Sequence, residues 1–254
     1  MLNPIIEFRN VEYRIRTNSS IHAILSGVSL QIHPGEIIAL LGRSGSGKTT
    51  LIKLINALRK STSGLVMVEG HAVAEWDPIL LRRGIGYVIQ EIGLFPHLSV
   101  RENVCLVPHL QNWDADRVTA RYSEVMQSVG LNPLQFAHRR PAQLSGGQRQ
   151  RVGVARALAA DPKILLMDEP FGAVDPVSRA ELQQEFLVLA RRVSKTVVLV
   201  THDVREALLL GTRVVLLEAG RIVAAATPSE FVKLDHPVAR AFLTAAQIET
   251  GERA

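Results

Sequence analysis

Residues 37–59 read IIALL-GRSGSGKTT-LIKLINALR, and these 23 positions decide the fold class. Ile37–Leu41 is an unbroken apolar, β-branched run, the pattern of a strand covered on both faces. In the last segment Leu51, Leu54, Ile55 and Leu58 recur at helical spacing. Between strand and helix lies Gly42-Arg43-Ser44-Gly45-Ser46-Gly47-Lys48-Thr49-Thr50, a GxxxxGK[ST] loop in strand–loop–helix context. Small residues are needed there because successive backbone N–H groups must turn inward around a phosphate, and Gly45 and Gly47 permit dihedrals that a Cβ would block. The helix N-terminus adds partial positive charge at the same place. The chemistry assigns Lys48 to the β- and γ-phosphates of a nucleotide, the Thr49 hydroxyl to Mg²⁺, and Thr50 to a phosphate nearer the nucleoside. A glycine-rich turn that merely caps a helix is the competing reading, and the flanking strand and helix weigh against it.

Further apolar runs at Ile85–Ile89, Ile164–Met167, Val197–Val200 and Val214–Leu217 predict more doubly covered strands, the mark of a layered α/β sheet. Alternating patterns near Ile5–Arg9, Val28–Ile32 and Leu65–Val68 predict a small antiparallel sheet attached to it. Between about residues 91 and 160 Val118, Tyr122, Val125, Met126 and Val129 recur at helical spacing, and Ser99 with Glu102 forms a capping box, so a helical insertion is expected there. Thr227, Pro228 and Glu230 form a cap before a helix at Phe231–Leu234, and the chain is expected to fray after about Gly251.

Composition narrows the function. The chain has 254 residues, 47% hydrophobic and 21% charged, so it has the makings of a globular core rather than of a disordered chain. There is no apolar run long enough to cross a bilayer, and Glu7 and Arg9 interrupt any leader-like stretch, so the expectation is a protein that is neither secreted nor membrane-spanning. The lone cysteine, Cys105, excludes an intrachain disulfide and fits a reducing compartment. Eight histidines include no pair at metal-ligand spacing on a helix. The net charge of +5 comes from scattered basic pairs without interleaved aromatics, which argues against a nucleic-acid surface.

Three strand ends carry polar residues. ILLMDEP, Ile164–Pro170, ends in Asp168 and Glu169 at the carboxyl edge of the sheet, where ligands bind in such folds. Side chains alternate along a strand, so the two acids are expected to divide the work: Asp168 for Mg²⁺, Glu169 for polarising the water that attacks the γ-phosphate. Gln90 follows IGYVI and His202 follows TVVLVT. Taken alone each is as well explained by contact with solvent. Beside a phosphate loop, Gln90 suits a contact to Mg²⁺ and the attacking water, and His202 a contact to the γ-phosphate that also orients Glu169.

At Leu144–Val152 the chain reads LSGGQRQRV. With GRSGSGKTT, Gln90, ILLMDEP, FGAVDP and His202 in that order, the sequence resembles the nucleotide-binding subunits of ABC transporters over about residues 5–245. The resemblance implies an α/β P-loop NTPase with a RecA-like core, an attached antiparallel β subdomain and a helical signature subdomain. The expected division is core at 1–90 and 161–235, helical subdomain at 91–160 and a C-terminal tail at 236–254. It further implies that Ser145, Gly146, Gly147 and Gln148 face the γ-phosphate held by a second subunit, so that two ATP molecules lie between two head-to-tail cassettes and a monomer hydrolyses poorly. Asp175 falls at the position that communicates across that interface, although Asp175-Pro176 is by itself a good helix start. Where related cassettes stack an aromatic on adenine this sequence has Ile15, with Tyr13 two residues earlier; Tyr13 is taken as the adenine contact, against the alternative of an ordinary strand aromatic.

VIQEIGLFPHLSVRENV and EPFGAVDP are most similar to cassettes of bacterial importers for glycine betaine and other quaternary-amine osmoprotectants, with amino-acid or other polar-solute importers as the alternative. The implied partners are a second such subunit, transmembrane permease subunits and an extracytoplasmic solute-binding protein, with no nucleic acid. Gly93–Val104 is expected to receive a permease helix through Phe95 and Leu98, which places the chain peripherally on the cytoplasmic face of the cell membrane. A soluble ABC ATPase acting on DNA or ribosomes fits less well, because no coiled coil separates loop and signature and only one set of motifs is present.

Overall fold

The computed structural model describes residues 3–16, 20–90, 93–172, 175–193 and 195–248. In chain order the elements are β1 (Ile6–Arg16), β2 (Ile21–Ile32), β3 (Ile37–Leu41), α1 (Lys48–Ile55), β4 (Ser63–Val68), β5 (His71–Ala72), α2 (Pro78–Arg83), β6 (Ile85–Val88), α3 (Val100–Leu110), α4 (Ala115–Ser128) and α5 (Pro133–Phe136). After a 3₁₀ turn at Pro141–Gln143 come α6 (Gly146–Leu158), β7 (Ile164–Asp168), α7 (Pro176–Val193), β8 (Thr196–Thr201), α8 (Val204–Leu210), β9 (Arg213–Glu218), β10 (Arg221–Ala226), α9 (Pro228–Phe231) and α10 (Pro237–Ala245). The chain divides into two compact units, Met1–Pro78 with Thr196–Ala254, and Ile79–Lys195.

The first unit contains an antiparallel sheet in the order β2-β1-β4-β5 and a run of strands β10-β9-β3-β8. β3 lies parallel to both β8 and β9, Leu41 standing beside Thr201 and Leu216. All residues of β3 and β8 are buried, as their continuous apolar reading requires. Ala39, Leu41, Val214 and Leu216 pack against Val204 and Ala207 of α8, Phe231 of α9, and Ala239 and Leu243 of α10. A side chain such as Phe231, with no exposed surface, contributes roughly 1.5–3 kcal/mol by leaving water.

Two sequence expectations fail in this unit. The cap at Thr227 opens a helix that begins at once with Pro228 as its first residue and ends at Phe231, rather than one at Phe231–Leu234. Within 236–254, expected as a tail, residues 237–245 form α10, capped by His236 and held down by Ala239 and Leu243, while the end after Gly251, where fraying is expected, lies outside the described residues. Strands β1 and β2 are also longer than their alternation indicated. Register shifts after Phe8, Val11 and Tyr13 break the period-two pattern while pairing continues to Arg16.

In the second unit β6 and β7 pair in parallel, Ile85 beside Ile164 and Val88 beside Met167. Helices α3, α4 and α6 pack together, and α6 also covers β6. α3 starts at the predicted capping box, with Ser99 and Glu102 bonding each other's backbone N–H. α4 buries Val118, Tyr122, Val125 and Met126, the predicted stripe. Arg121 ties α4 to the end of α6, donating to the carbonyls of Leu158 (2.8 Å) and Ala159 (3.2 Å) and to Asp161, which Lys195 also contacts. This unit takes in β6, β7 and α7 besides the helices of 91–160.

Candidate functional site

In the first unit the phosphate loop leaves β3 and turns into α1 at Gly47, which caps the helix in the left-handed conformation (φ 104°, ψ 2°) with no side-chain cap. A Cβ at Gly47 would lie 2.7 Å from Leu25 Cδ2 and 2.9 Å from the Ile24 carbonyl oxygen, so only glycine fits this turn. Arg43, Ser44 and Gly45 are exposed, whereas Ser46, Gly47 and Lys48 are buried and Thr49 and Thr50 half-buried. The Lys48 ammonium donates to the carbonyls of Gly42 (2.7 Å) and Arg43 (2.9 Å), which folds it back over the loop. The Gly220 N–H donates to the Ser46 carbonyl and fixes the loop to the β9–β10 turn. Among the described residues the buried Ser46 hydroxyl has no hydrogen-bond partner. Helix-start N–H groups, a glycine backbone and an ammonium gathered at one loop suit an anion.

His202 follows β8. Because Leu41 and Thr201 are register partners in parallel strands, exposed His202 and Gly42 leave the same carboxyl edge. Tyr13 is half-buried opposite Leu25, the residue whose side chain abuts Gly47, while Ile15 lies opposite His22, 38% exposed.

In the second unit Asp168 closes β7 at 3% exposure. The Tyr87 phenol is hydrogen-bonded to it, and burial, reinforced by the negative charge of Asp168, pushes the phenol well above its ordinary range. Glu169 has left β7 and adopts a left-handed backbone (φ 46°), a conformation that bulky residues rarely hold without cause. The Gln90 side-chain amide donates to the Glu169 carboxylate at 3.3 Å. Glu169 lies past the end of β7 in a turn, so the strand alternation expected to separate the two acids does not apply to the pair.

Ser145 caps α6 with a full capping box: its hydroxyl accepts from the Gln148 N–H, and the Gln148 side chain accepts from the Ser145 N–H. Gly146, Gly147 and Gln148 form the half-exposed first turn. Asp175 is exposed immediately before α7, its carbonyl accepting from the Arg179 N–H; Ala173 and Val174 of FGAVDP lie outside the described residues. Phe95 is exposed and Leu98 half-buried. Their loop is organised by Asn103, which has no exposed surface: its Nδ2 donates to the carbonyls of Phe95, Leu98 and Ser99, and its Oδ1 accepts from the Phe95 N–H. Arg156 donates to the Gly93 carbonyl at 2.6 Å.

Sequence reasoning missed Tyr87 and Asn103. Tyr87 reads as another apolar strand residue, although its place on β6 beside β7 pointed to Asp168, and the polar Asn103 inside an apolar helical stripe was a visible signal.

The family model described as ABC transporter matches residues 25–172. The chain belongs to the ABC transporter family. As an ABC cassette it is 50% identical over 208 residues to an osmoprotectant import ATP-binding protein, OsmV of Salmonella typhimurium, covering 82% of this chain and 54% of that one. It is 48% identical over 209 residues to a glycine betaine/carnitine/choline transport ATP-binding protein, OpuCA of Bacillus subtilis (82% and 55%), and 46% identical over 224 residues to a glycine betaine uptake ATP-binding protein, YehX of Escherichia coli (88% and 71%). The cassette therefore spans about half the length of the OsmV and OpuCA proteins. Its fold is similar to that of the ATP-binding cassette MJ0796, solved as a dimer in a post-hydrolysis state bound to ADP and Pi, with a TM-score of 0.79 and 34% identity over 88% of this chain and 98% of that one. The α/β P-loop cassette expected from the motifs is the fold observed.

Proposed function

We propose that this cassette binds and hydrolyses ATP to energise a membrane transporter, an importer of glycine betaine or a related quaternary-amine osmoprotectant. The observation that carries the nucleotide reading is α1, whose N-terminus lacks a side-chain cap behind left-handed Gly47 and whose Lys48 ammonium is folded over the loop. Such a start is completed by phosphate oxygens. The names of OsmV, OpuCA and YehX support the solute class.

In this reading Gly42–Thr50 hold the ATP phosphates, Lys48 the β and γ groups, and Tyr13 lies against adenine. Thr49, Asp168 and Gln90 are the residues that would hold Mg²⁺. Among the described residues no three His, Cys, Asp or Glu side chains cluster as a metal cage. A hydroxyl, an amide oxygen and one buried carboxylate suit a hard cation that takes its other ligands from phosphate and water. Bound Mg²⁺ would neutralise charge on the β and γ oxygens. Glu169, held by Gln90, accepts a proton from the water as that water attacks the γ-phosphorus and the bond to ADP breaks. His202 contacts the γ-phosphate. Ser145, Gly146, Gly147 and Gln148 meet the γ-phosphate of a second copy, and Asp175 lies at that seam. The partners are then a second cassette, permease subunits that dock on the Phe95–Leu98 loop, and an extracytoplasmic solute-binding protein, with the cassette on the cytoplasmic face of the membrane.

Two substitutions test this reading. Lys48→Ala removes the charge that compensates phosphate and should weaken ATP binding about 100-fold or more by calorimetry; unchanged affinity would refute the loop assignment. Glu169→Gln should bind ATP normally, lose about 10²- to 10⁴-fold in turnover and accumulate as an ATP-bound dimer. Near-parent hydrolysis would remove Glu169 from its role.

A further inference from the structure

The turn that presents His202 is closed by side chains to which the nucleotide roles above give no task. Thr201 ends β8 at 2% exposure, and Glu206 lies in the first turn of α8 at 7%. The Thr201 hydroxyl donates to Glu206 Oε2 at 2.5 Å and accepts from the Asp203 N–H at 3.0 Å. Asp203 in turn caps α8, its Oδ1 accepting from the N–H groups of Arg205 (2.8 Å) and Glu206 (3.5 Å). His202 lies inside this bracket and is exposed, while the residues bonded on either side of it are not.

The bracket is stiff for two reasons. Its base is anchored, because Val204 and Ala207 of α8 are packed in the core with Ala39 and Leu41 of β3, the strand that feeds the phosphate loop. Its closing bond joins a hydroxyl to a carboxylate away from water, the stronger class of hydrogen bond, in a setting where the bond is weakened little by solvent. The Thr201 hydroxyl makes two bonds. Here it is engaged on both sides, as donor to a side chain five residues on and as acceptor from a backbone N–H two residues on.

We propose that Glu206 is a positioning residue for His202. Its carboxylate holds the Thr201 hydroxyl, the hydroxyl holds the Asp203 amide, and the two peptide bonds flanking His202 are thereby fixed so that the imidazole stands at the edge from which the loop departs. The inference rests on the reading in which His202 contacts the γ-phosphate.

The test is steady-state ATP hydrolysis by the full chain, assayed at concentrations that support the dimer. Thr201→Val and Glu206→Ala, which delete donor and acceptor, should each lower kcat about tenfold or more with the KM for ATP within about twofold. Thr201→Ser and Glu206→Gln, which keep a hydroxyl and an acceptor oxygen, should stay within about threefold of the parent. In a His202→Ala background Thr201→Val and Glu206→Ala should cause no further loss, a dependence that general destabilisation does not produce. If Glu206→Ala melts too low to assay, Thr201→Val and its contrast with Thr201→Ser decide the matter. Losses that add to that of His202→Ala, or equal losses in Thr201→Ser and Thr201→Val, overturn the inference. A strong defect in His202→Ala with parent-like Thr201→Val and Glu206→Ala overturns the positioning role alone. Near-parent kcat in His202→Ala overturns the assignment of His202 itself, and the positioning role with it.

Discussion

Two helices of this cassette begin at glycine-rich motifs, and they solve the same electrostatic problem in opposite ways. Both α1 and α6 present the positive end of a dipole and a first turn of N–H groups without intrahelical acceptors. α6 satisfies its own end: Ser145 and Gln148 exchange hydrogen bonds in a closed capping box. α1 has no such cap, and the residue at its start is a strained-handed glycine that can supply none. A glycine N-cap gives up only about a few tenths of a kcal/mol against a side-chain cap, and the surrounding loop holds the turn here, the Gly220 N–H donating to the Ser46 carbonyl. One helix start is therefore left without a side-chain cap, while the other closes on itself.

Alanine at Gly47 and at Gly147 puts this contrast at risk. At Gly47 the new Cβ meets Leu25 Cδ2 at 2.7 Å and a carbonyl oxygen at 2.9 Å, in a backbone conformation that L-residues avoid. Gly47→Ala should cost about 2–5 kcal/mol, read as a shift of the denaturant midpoint, and abolish ATP binding. A parent-like midpoint would mean that the loop relaxes freely. At Gly147 the nearest atom to a new Cβ is Leu182 Cδ1 at 3.8 Å, an ordinary contact. The fold of this chain does not require glycine there, and alanine should stabilise α6 by up to about 1 kcal/mol. If the bare surface of Gly147 exists for a partner's phosphate, the same variant should lose about 10²-fold in turnover while its own ATP affinity is unchanged. Full turnover in Gly147→Ala would detach the signature turn from the chemistry.

What the amino-acid sequence discloses follows the same division. Strands β3, β7, β8 and β9 are covered on both faces, so burial forces a continuous apolar spelling and their positions were legible to within a residue. The caps at Ser99, Ser145 and Thr227 were legible because capping needs specific side chains at fixed spacing. The bulged part of β1 was hidden because its pairing shifts register, and α10 because it is short, with Ala239 and Leu243 fully buried and Val238 and Phe242 only partly so. Among functional groups, the glycines and acids announce themselves by type. The side chains that hold them do not, since Tyr87 on Asp168, Glu206 on Thr201 and Asn103 under Phe95 depend on neighbours distant in the chain or on burial, which no local spacing encodes.

Acid separates the caps themselves. The reciprocal partner at α6 is Gln148, which does not titrate, whereas at α3 and α9 it is Glu102 and Glu230. Bonds from the backbone N–H of Ser99 and of Thr227, aided by the Ser99 and Thr227 side chains, hold these two carboxyls below the ordinary value of 4.5. A lowered folded-state value means that the ionised cap contributes fully above the unfolded value and is lost as pH falls through the lower, folded one. Amide exchange should therefore show protection at Ser99 and Thr227 declining as the pH is taken below 4.5, with Ser145 protection steady over the same interval. Both carboxylates are at the surface, so the change is local and small, and it is the difference among the three amides that matters. A parallel decline at Ser145 would show that its N–H is held by the general stability of the unit and not by Gln148, and α6 would then lose its claim to a self-sufficient start.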